Sequence, residues 1–473
     1  MHTFLRFFAF AGIAAVCTST AYAQADSVLT LDQCIAVALS DNPTIRVADM
    51  EITRVDYSRK ETLGQLLPSI SFGANYNRML AKQVAYMNMD DFGDFGAMGG
   101  TGGENNDETA ASRAASSDNK KSDNGIKMGL DNSYSLGFSA SLPLIAPQLW
   151  QSLSLTDSQI LRSVEQARSS KLELVNQVKA AYYALMLAED SKQVIQESYD
   201  MAAFTYETYS KQYQAGAASD YDVLRTSVDM NNIEPELMQA DVAIKRARLQ
   251  LQVLMGLDSS FPVTTSQRLS DYEQNMYAQA LSLSHDYSGN SELHLNAIET
   301  DILDRTVKLQ KAAYYPTLAL TANYNWTSSS NGSPFKNFRW NPYSMVGITL
   351  SVPLFEGGQR YNRVRQATIQ ANELRLQREN IERNVSMQVN LAIDNIGVNV
   401  KQIASCSESV SQAERAHQIM KDSFEIGAAT YLDLRDSELS LTRARLTYYQ
   451  AIYNYLIALS ELELLQGTYP LGK

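Results

Sequence analysis

The feature that most limits how this chain can fold is the length of its uninterrupted helical segments. From Trp150 to Tyr213 the sequence contains neither proline nor glycine, and between Gly358 and Ile426 the one interruption is Gly397. At about 1.5 Å per residue, each segment predicts a helix of about 100 Å. A single hydrophobic core of ordinary size cannot cover such a helix, so the sequence disfavours a compact globular domain.

A shorter helix is predicted after each long one, over Asp220–Met255 and over Tyr431–Gln466, with reversals near Gly216 and Gly427. The last helix carries two series of mostly apolar residues with the 3-4 spacing of a coiled-coil seam. One series is Leu439, Thr442, Leu446, Tyr449, Tyr453 and Leu456, and the other is Leu441, Ala444, Tyr448, Ala451, Tyr455, Ala458, Leu462 and Leu465. Two seams predict a neighbour on each side, whereas one wide amphipathic stripe is the alternative.

The chain also contains an internal repeat. KETLGQLLPSISFGANYN aligns with VKLQKAAYYPTLALTANYN, SLPLIAPQLWQSL with SVPLFEGGQRYNRVRQA, and YQAGAASDYDVL with FEIGAATYLDLR. These alignments pair Pro68 with Pro316, Pro143 with Pro353, Gly216 with Gly427, and Asp222 with Asp433. The predicted repeats are residues 24–256 and 292–467, joined by a connecting segment over 257–291 and followed by a tail over 468–473.

Each repeat contains two segments in which apolar and small polar residues alternate, which predicts strands with one apolar face. The apolar positions are Ile70, Phe72, Ala74 and Tyr76; Tyr134, Leu136, Phe138, Ala140 and Leu142; Leu318, Leu320, Ala322, Tyr324 and Trp326; and Val346, Ile348, Leu350 and Val352. Small uncharged residues on the other face suit a water-filled lumen, although a sheet packed on a soluble core is the alternative. Four strands cannot close a barrel, so membrane insertion would require several chains to share one.

Strands and helices are predicted to meet at proline and glycine residues, where neither hydrogen-bonding pattern continues. These junction residues are Pro68, Pro143, Pro316, Pro353, Gly357 and Gly358.

Residues 1–23 predict a signal peptide, because Arg6 precedes a short apolar run and Ala21-Tyr22-Ala23 fits a cleavage site. Residues 79–130 predict a long loop within the first strand hairpin, whose segment Asp90–Gly125 is rich in Gly, Ser, Asn and Asp.

Composition and spacing argue against several functions. The net charge is −12 and no basic stripe is evident, so no nucleic-acid partner is expected. The four histidines show no zinc or catalytic spacing, so neither an enzyme, a cofactor nor a resident metal is predicted. Cys34 and Cys406 could form one bridge or remain separate thiols. Methionines in or beside the predicted loop, Met79, Met87, Met89, Met98 and Met128, leave copper or silver efflux as a minor alternative.

In this order, the motifs resemble the TolC family of outer-membrane efflux proteins over nearly all of the predicted mature chain. The resemblance is carried by LTLDQCIAVALSDNPTIRVAD, the strand entries LPS and YPT, SVPLFEGGQR, and paired Gly-x-x-x-x-x-Asp turns followed by LMGL and LLQG. It implies a mixed α and β fold in a homotrimer. Four antiparallel strands per chain would contribute to a twelve-stranded outer-membrane barrel, continued by long coiled-coil helices that form a periplasmic α-barrel.

The resemblance further implies a passive exit duct of a tripartite efflux or type I secretion system. An inner-membrane pump of the RND or ABC type would deliver substrates through a periplasmic adaptor protein. The chain would lie in the bacterial outer membrane, in contact with its lipid, and extend into the periplasm. A non-transporting periplasmic coiled coil or a surface adhesin is the alternative.

The family's acidic periplasmic gate maps by resemblance onto Asp433 and Asp436, with Asp222 in the first-half turn. For Asp433, a helix cap is the alternative. The resemblance implies adaptor-docking tips at Gly216, Ala217, Ala218, Ser219, Gly427, Ala428, Ala429 and Thr430. The chain departs from the family pattern at Ala429, where a basic residue can occur, and at Phe424, where a tyrosine can.

Overall fold

The computed structural model describes residues 27–85 and 126–470, apart from 259, 262, 274–275, 278–279, 281 and 334–338. The predicted signal peptide, the segment Asp90–Gly125 and the methionines at 87, 89 and 98 lie outside the described residues. In chain order the elements are β1 (Ser27–Leu29), α1 (Leu31–Asp41), α2 (Pro43–Gly64), β2 (Ser69–Arg78), β3 (Gln83–Ala85), β4 (Ile126–Met128), β5 (Asn132–Ile145), α3 (Pro147–Gln214), α4 (Asp220–Met255), β6 (Val263–Thr265), α5 (Ser291–Ala312), β7 (Thr317–Ser330), β8 (Asn341–Ser351), α6 (Gln359–Glu425) and α7 (Tyr431–Gln466).

The chain divides into two compact units, and each draws on both predicted repeats. Among the described residues, the helical unit comprises those up to Tyr57 together with those within Thr156–Asp304 and those from Thr368 onward, and the strand unit comprises those within Ser58–Leu155 and Arg305–Ala367. A contiguous segment of sequence therefore does not correspond to one compact unit.

The four long helices have the lengths and ends that the spacing of proline and glycine predicts. Helices α3 and α6 contain 68 and 67 residues, and α4 and α7 contain 36 each. Gly397 lies inside α6 without ending it. Pro235 lies inside α4, where it cannot donate the backbone hydrogen bond that a helix makes four residues back.

The core of the helical unit is formed where five helices meet. Its fully or almost fully buried members include Cys34 and Ile35 of α1, Val178, Tyr182 and Leu185 of α3, Leu251 and Met255 of α4, Ile396 and Ile403 of α6, and Ile452 and Tyr455 of α7. The parallel pair β1–β6 adjoins this core, and the Tyr182 hydroxyl donates to the Leu29 carbonyl at 3.2 Å. Cys34 and Cys406 are free thiols, so they do not form the disulfide bond that the sequence left undecided.

The strand unit contains a four-stranded antiparallel sheet in the order β2-β5-β7-β8. Its register aligns the apolar faces predicted for the separate strands. Three rows on this face are mainly apolar: Ile70–Ala140–Ala322–Val346, Phe72–Phe138–Tyr324–Ser344 and Ala74–Leu136–Trp326–Pro342. The intervening rows are mainly polar, for example Ser71–Ser139–Asn323–Met345.

The apolar face of this sheet is largely uncovered in the single chain. Ile70 is 74% exposed and Val346 is 73% exposed, and every residue of β2 is exposed. An ordinary sheet on a soluble core would bury one face, so this alternative is not supported. A separate antiparallel pair, β3 with β4, lies within the predicted loop 79–130. Within the part of the chain that the structure describes, no helix has the length and apolar character needed to cross a membrane.

Candidate functional site at the helix-hairpin turns

Two tight turns join the long helices to the shorter ones. At the end of α3, Gly216 adopts a left-handed backbone with φ of +73°. The Gly216 N–H donates to the Tyr213 carbonyl at 2.9 Å, and the Ala217 N–H donates to the Gln212 carbonyl at 2.7 Å, which is a Schellman motif. At the end of α6, Gly427 has φ of +77° and donates to Phe424 at 3.0 Å, while Ala428 donates to Ser423 at 2.8 Å. Glycine is needed at both positions because the left-handed backbone is strained for other residues.

The small residues of the predicted docking tips leave both turns open to solvent. Gly216, Ala217, Gly427 and Ala428 are exposed, and no atom of another residue would meet a Cβ placed on either glycine within 4 Å. The neighbouring Ala218 and Ala429 are half-buried. Ser219 and Thr430 are the remaining tip residues, and each begins the following helix as its N-cap.

The predicted gate residues Asp222 and Asp433 serve as capping residues of α4 and α7. Oδ2 of Asp433 accepts hydrogen bonds from the Thr430 hydroxyl at 2.6 Å and the Thr430 N–H at 3.0 Å, and the Asp433 N–H donates to Thr430 Oγ1 at 3.3 Å. Ser219 and Asp222 make the same capping box. The hydrogen bonds from the Thr430 side chain and backbone lower the pKa of Asp433.

Asp436 lies in the next part of α7 and is exposed. Its backbone carbonyl accepts from the Ser440 hydroxyl at 2.8 Å. Among the hydrogen bonds and ion pairs of the described chain, none joins the carboxylates of Asp222, Asp433 and Asp436 to one another. The structure therefore gives Asp433 the contacts of a helix cap, which was the alternative to a gate role. Within one chain, Asp222, Asp433 and Asp436 do not form an acidic ring.

The predicted junction residues lie at or close to the ends of the strands. Pro68 and Pro316 immediately precede β2 and β7, and Pro353 follows the end of β8. Gly357 and Gly358 have left-handed backbones with φ of +58° and +79° just before α6. Pro143 differs, because it lies inside β5 rather than at its end, next to a register shift between Pro143 and Ile145. A proline cannot donate to the ladder, which suits it to such an irregularity.

A buried ionic contact joins α4 to α7 close to the turns, and the sequence did not reveal it. Asp229 is 7% exposed. Its Oδ1 lies 2.8 Å from the guanidinium of Arg435, and its Oδ2 accepts from the Tyr431 hydroxyl at 2.9 Å. The guanidinium of Arg225 lies over the Tyr431 ring, 5.5 Å from its centroid.

The other two helices contact α7 within the same region. The Ser198 hydroxyl of α3 donates to Oε1 of Glu438 at 3.2 Å. Burial raises the pKa of Glu438 to about 7, against the opposing effects of the Ser198 hydrogen bond and of Arg435. Nδ1 of His417 in α6 lies 3.2 Å from the Ser437 hydroxyl, and burial lowers the pKa of His417.

Sequence reasoning missed this cluster because its members lie on four helices, and only the register between the helices brings them together. Asp229 and Tyr431, for example, are 202 positions apart. In the structure, Asp229 shares the buried face of α4 with Thr226, and the sequence alone did not identify that face as buried. A carboxylate on a buried helix face requires a partner, because an unpaired buried charge is costly.

Comparison with known proteins agrees with this architecture. The sequence model of the outer membrane efflux protein family matches residues 34–257 and 288–468. The chain is 21% identical over 337 residues to the outer membrane protein TolC of Vibrio cholerae, covering 71% of this chain and 76% of TolC. It is 24% identical over 340 residues to the alkaline protease secretion protein AprF of Pseudomonas aeruginosa, covering 71% and 70%.

The fold is also similar to a solved channel. The Campylobacter jejuni CmeC outer membrane channel superposes with a TM-score of 0.67 at 15% identity, covering 92% of this chain and 85% of CmeC. Because the family match extends over most of the sequence, the chain belongs to the outer membrane efflux protein family: it lies in the bacterial outer membrane, extends into the periplasm, and is the efflux duct of a tripartite efflux or secretion system.

Proposed function

We propose that three copies of this chain form one duct and passively conduct substrates that an inner-membrane pump delivers through a periplasmic adaptor. The observation that carries the proposal is the four-stranded sheet, in which each of the edge strands β2 and β8 pairs with one neighbouring strand within the described chain and leaves its outer edge open. In hydrocarbon, each unsatisfied backbone group costs several kcal/mol. Pairing β8 of one copy with β2 of the next removes both open edges, and three copies give a twelve-stranded barrel.

The two faces of the sheet support this placement. The apolar face is exposed in the single chain, as expected for a surface that lipid would cover once the protein is in the membrane. The opposite face carries mainly serine, threonine, asparagine and glycine, which suit a water-filled lumen. The outer-membrane lipid is therefore the proposed partner of the apolar face.

An exposed seam on α4 supports a neighbouring copy in the helical region. Its apolar residues follow the heptad positions of a coiled coil. They are Tyr221, Leu224, Val228, Met238, Val242 and Leu249, and all are exposed in the single chain. A seam of this kind is stabilised when a second helix covers it, and in the proposed trimer that helix belongs to another copy and contributes to a twelve-helix periplasmic barrel.

The similarity of the two hairpins supports both the internal repeat and a common role for the two tips. Each pairs a helix of 67 or 68 residues with one of 36, and each turns through a Schellman motif followed by a capping box. The proposed adaptor contacts are the exposed small residues of these turns, which leave room for another helical hairpin. The pump, of the RND or ABC type, supplies the energy, and no reaction is proposed to take place in the duct.

The gate assignment is proposed for the assembled duct only. Three copies of the exposed Asp436, together with Asp433 and Asp222, would concentrate negative charge around the axis and favour cations. The capping contacts of Asp222 and Asp433 occupy one carboxylate oxygen each and keep the charge at the helix start.

Reconstitution tests the proposal. Full-length protein in planar lipid bilayers should give discrete ion conductance, and native mass spectrometry in detergent should give the mass of three copies. A monomer without conductance would refute the duct and favour a non-transporting coiled coil or adhesin. Crosslinking in intact cells followed by purification should recover a periplasmic adaptor and an inner-membrane pump.

A further inference from the structure

The turn that follows β7 contains one of the two Asn-Gly pairs in the sequence. Asn331 and Gly332 are exposed, and Gly332 has a left-handed backbone with φ of +90°. The pairing of β5 with β7 ends where Asn132 lies opposite Ser330, and this register brings the preceding residue, Asp131, beside Asn331. The Asn-Gly pair is therefore held against the start of another strand rather than left in an isolated turn.

Two donors are directed at the side-chain carbonyl of Asn331. The Asp131 N–H donates to Oδ1 of Asn331 at 3.0 Å, and the ammonium of Lys82 donates to the same atom at 3.2 Å. Because both partners are donors, the atom that they share is the carbonyl oxygen and not the amide nitrogen. Donors placed in this way stabilise negative charge that develops on the oxygen, as an oxyanion hole does.

The backbone N–H of Gly332 is held by a carboxylate. It donates to Oδ2 of Asp131 at 3.0 Å, and Oδ1 of Asp131 lies 3.0 Å from the ammonium of Lys82. The fully buried Asn132 donates to the Gly332 carbonyl at 3.1 Å and so fixes the same residue from its other side. A carboxylate at hydrogen-bond distance from an N–H is positioned to act as a general base. Gly332 has no side chain to hinder the approach of its nitrogen to Asn331.

We propose that Asn331 is a self-modification site, at which the chain converts the Asn331 amide to aspartate or isoaspartate through a cyclic imide. The backbone nitrogen of Gly332 attacks Cγ of Asn331 and passes its proton to Asp131, while the Asp131 N–H and Lys82 stabilise the negative charge on Oδ1. The carbonyl then re-forms, the bond from Cγ to Nδ2 breaks, and Nδ2 takes the proton from Asp131 and leaves as ammonia. Water, the one co-reactant, opens the imide at either carbonyl carbon.

The conversion changes this end of the strand unit permanently. Each event adds a carboxylate beside Asp131 and Lys82, and isoaspartate also reroutes the backbone through the side-chain methylene of residue 331. Because the hydrolysis is irreversible, the modified fraction increases with the age of the molecule. The chemistry belongs to the chain itself and does not rest on the proposed duct.

Mass spectrometry of the full-length protein tests the proposal. Freshly purified protein in detergent is incubated at pH 7.4 in water labelled with heavy oxygen, and fragmentation of its tryptic peptides localises the modified residue. Residue 331 should gain the mass of an amide-to-acid conversion together with one labelled oxygen, and isoaspartyl methyltransferase should label part of the product.

A synthetic peptide of residues 326–333 is the reference, because it keeps the Asn-Gly pair but lacks Asp131 and Lys82. Conversion should be about tenfold faster in the folded protein than in this peptide. The factor is smaller than that of an enzyme site, since the turn is exposed to water. A rate in the folded protein equal to or below that of the peptide overturns the proposal without reference to any variant.

Three variants identify the groups responsible, with circular dichroism to confirm that each is folded. Lys82→Met removes the ammonium, and Asp131→Asn keeps an acceptor for the Gly332 N–H but removes the base, so each should slow the conversion toward the peptide rate. Ser329→Ala, at an exposed position of the same strand end, should retain the wild-type rate. An unchanged rate in either Lys82→Met or Asp131→Asn overturns the proposed chemistry.

Discussion

The hydroxyl of Tyr431 donates a 2.9 Å hydrogen bond to Oδ2 of Asp229 and so joins the first turn of α7 to the interior of α4. Asp229 is almost fully buried, and its other oxygen is paired with Arg435 at 2.8 Å. A buried carboxylate with two donors is stabilising mainly because losing either donor leaves a desolvated charge under-satisfied. The contact therefore contributes to holding α4 against α7.

Replacement of Tyr431 by phenylalanine should loosen α4 near its turn. The ring and its stacking with Arg225 are retained, so the change removes only the hydroxyl donor to Asp229. A loss of about 1–3 kcal/mol is expected, because Asp229 remains buried with one donor fewer. The rate of trypsin cleavage at Arg225 should rise by about tenfold, and Tyr221→Phe, at an exposed position of the same helix, should not change it. Equal cleavage rates for the two variants would contradict the role of the hydroxyl.

Much of the fold could be predicted because the ends of the helices and the faces of the strands depend on local residue types. The ends of α4 and α7 follow from Ser219 and Thr430 as caps and from Gly256 and Gly467 after the last turn. The faces of the strands follow from their period of two. The sequence could not reveal the Asp229–Arg435 pair, since the register between α4 and α7 depends on packing over their whole length. Nor could it show that Pro143 lies inside β5, two residues before its end, where the ladder shifts register.

His417 should make the helical hairpins sensitive to acid. Burial, followed by the nearby charges of Lys421 and Arg445, lowers the pKa of His417. The folded chain therefore disfavours its protonated form, and this contribution to stability is present above pH 6.5 and is lost as pH falls below it. Glu438 acts in the opposite direction, because its raised pKa gives a contribution that is lost as pH rises toward 7.

The two titrations can be separated by measuring His417 in a Glu438→Gln background. In that background, hydrogen exchange around residue 417, corrected for intrinsic rates, should accelerate between pH 7 and pH 5. Adding His417→Gln removes the titrating group and should abolish this acceleration while leaving exchange at pH 7 little changed. Acceleration of the same size in both proteins would show that another group is responsible.

The cap and gate roles of Asp433 predict different results. Asp433→Asn retains an oxygen that can accept from Thr430 but removes the charge, whereas Thr430→Ala removes the cap and retains the charge. If the carboxylates form the proposed gate, Asp433→Asn combined with Asp436→Asn should raise single-channel conductance or weaken cation preference. Thr430→Ala should leave ion preference unchanged. An unchanged conductance and preference in the double variant would remove the gate assignment.

A larger side chain at the turns should weaken binding of the proposed adaptor more than it disturbs folding. Ala428 is exposed, so Ala428→Trp should leave the fold intact by circular dichroism and by native mass. In crosslinked cells, however, the larger side chain should prevent close approach of the proposed adaptor hairpin and reduce its recovery. Ala428→Ser is the matched control and should retain recovery. Full recovery with tryptophan would place the docking surface elsewhere.

The two faces of β8 should respond in opposite ways to a charge. Ile348 lies in an apolar row with Leu320, and the adjacent Thr349 lies on the opposite face. If the apolar face contacts lipid, Ile348→Lys should be destabilising, because a lipid-facing lysine costs up to about 2–4 kcal/mol at the bilayer midplane and less toward the interfaces, whereas Thr349→Lys should place the charge in water. The measurement is the amount of trimer recovered from outer-membrane fractions. Ile348→Lys should strongly reduce it, and Thr349→Lys should retain it while changing ion selectivity. Similar recovery of both variants would contradict the assignment of the sheet faces, since one residue along a strand would then make no difference to membrane insertion.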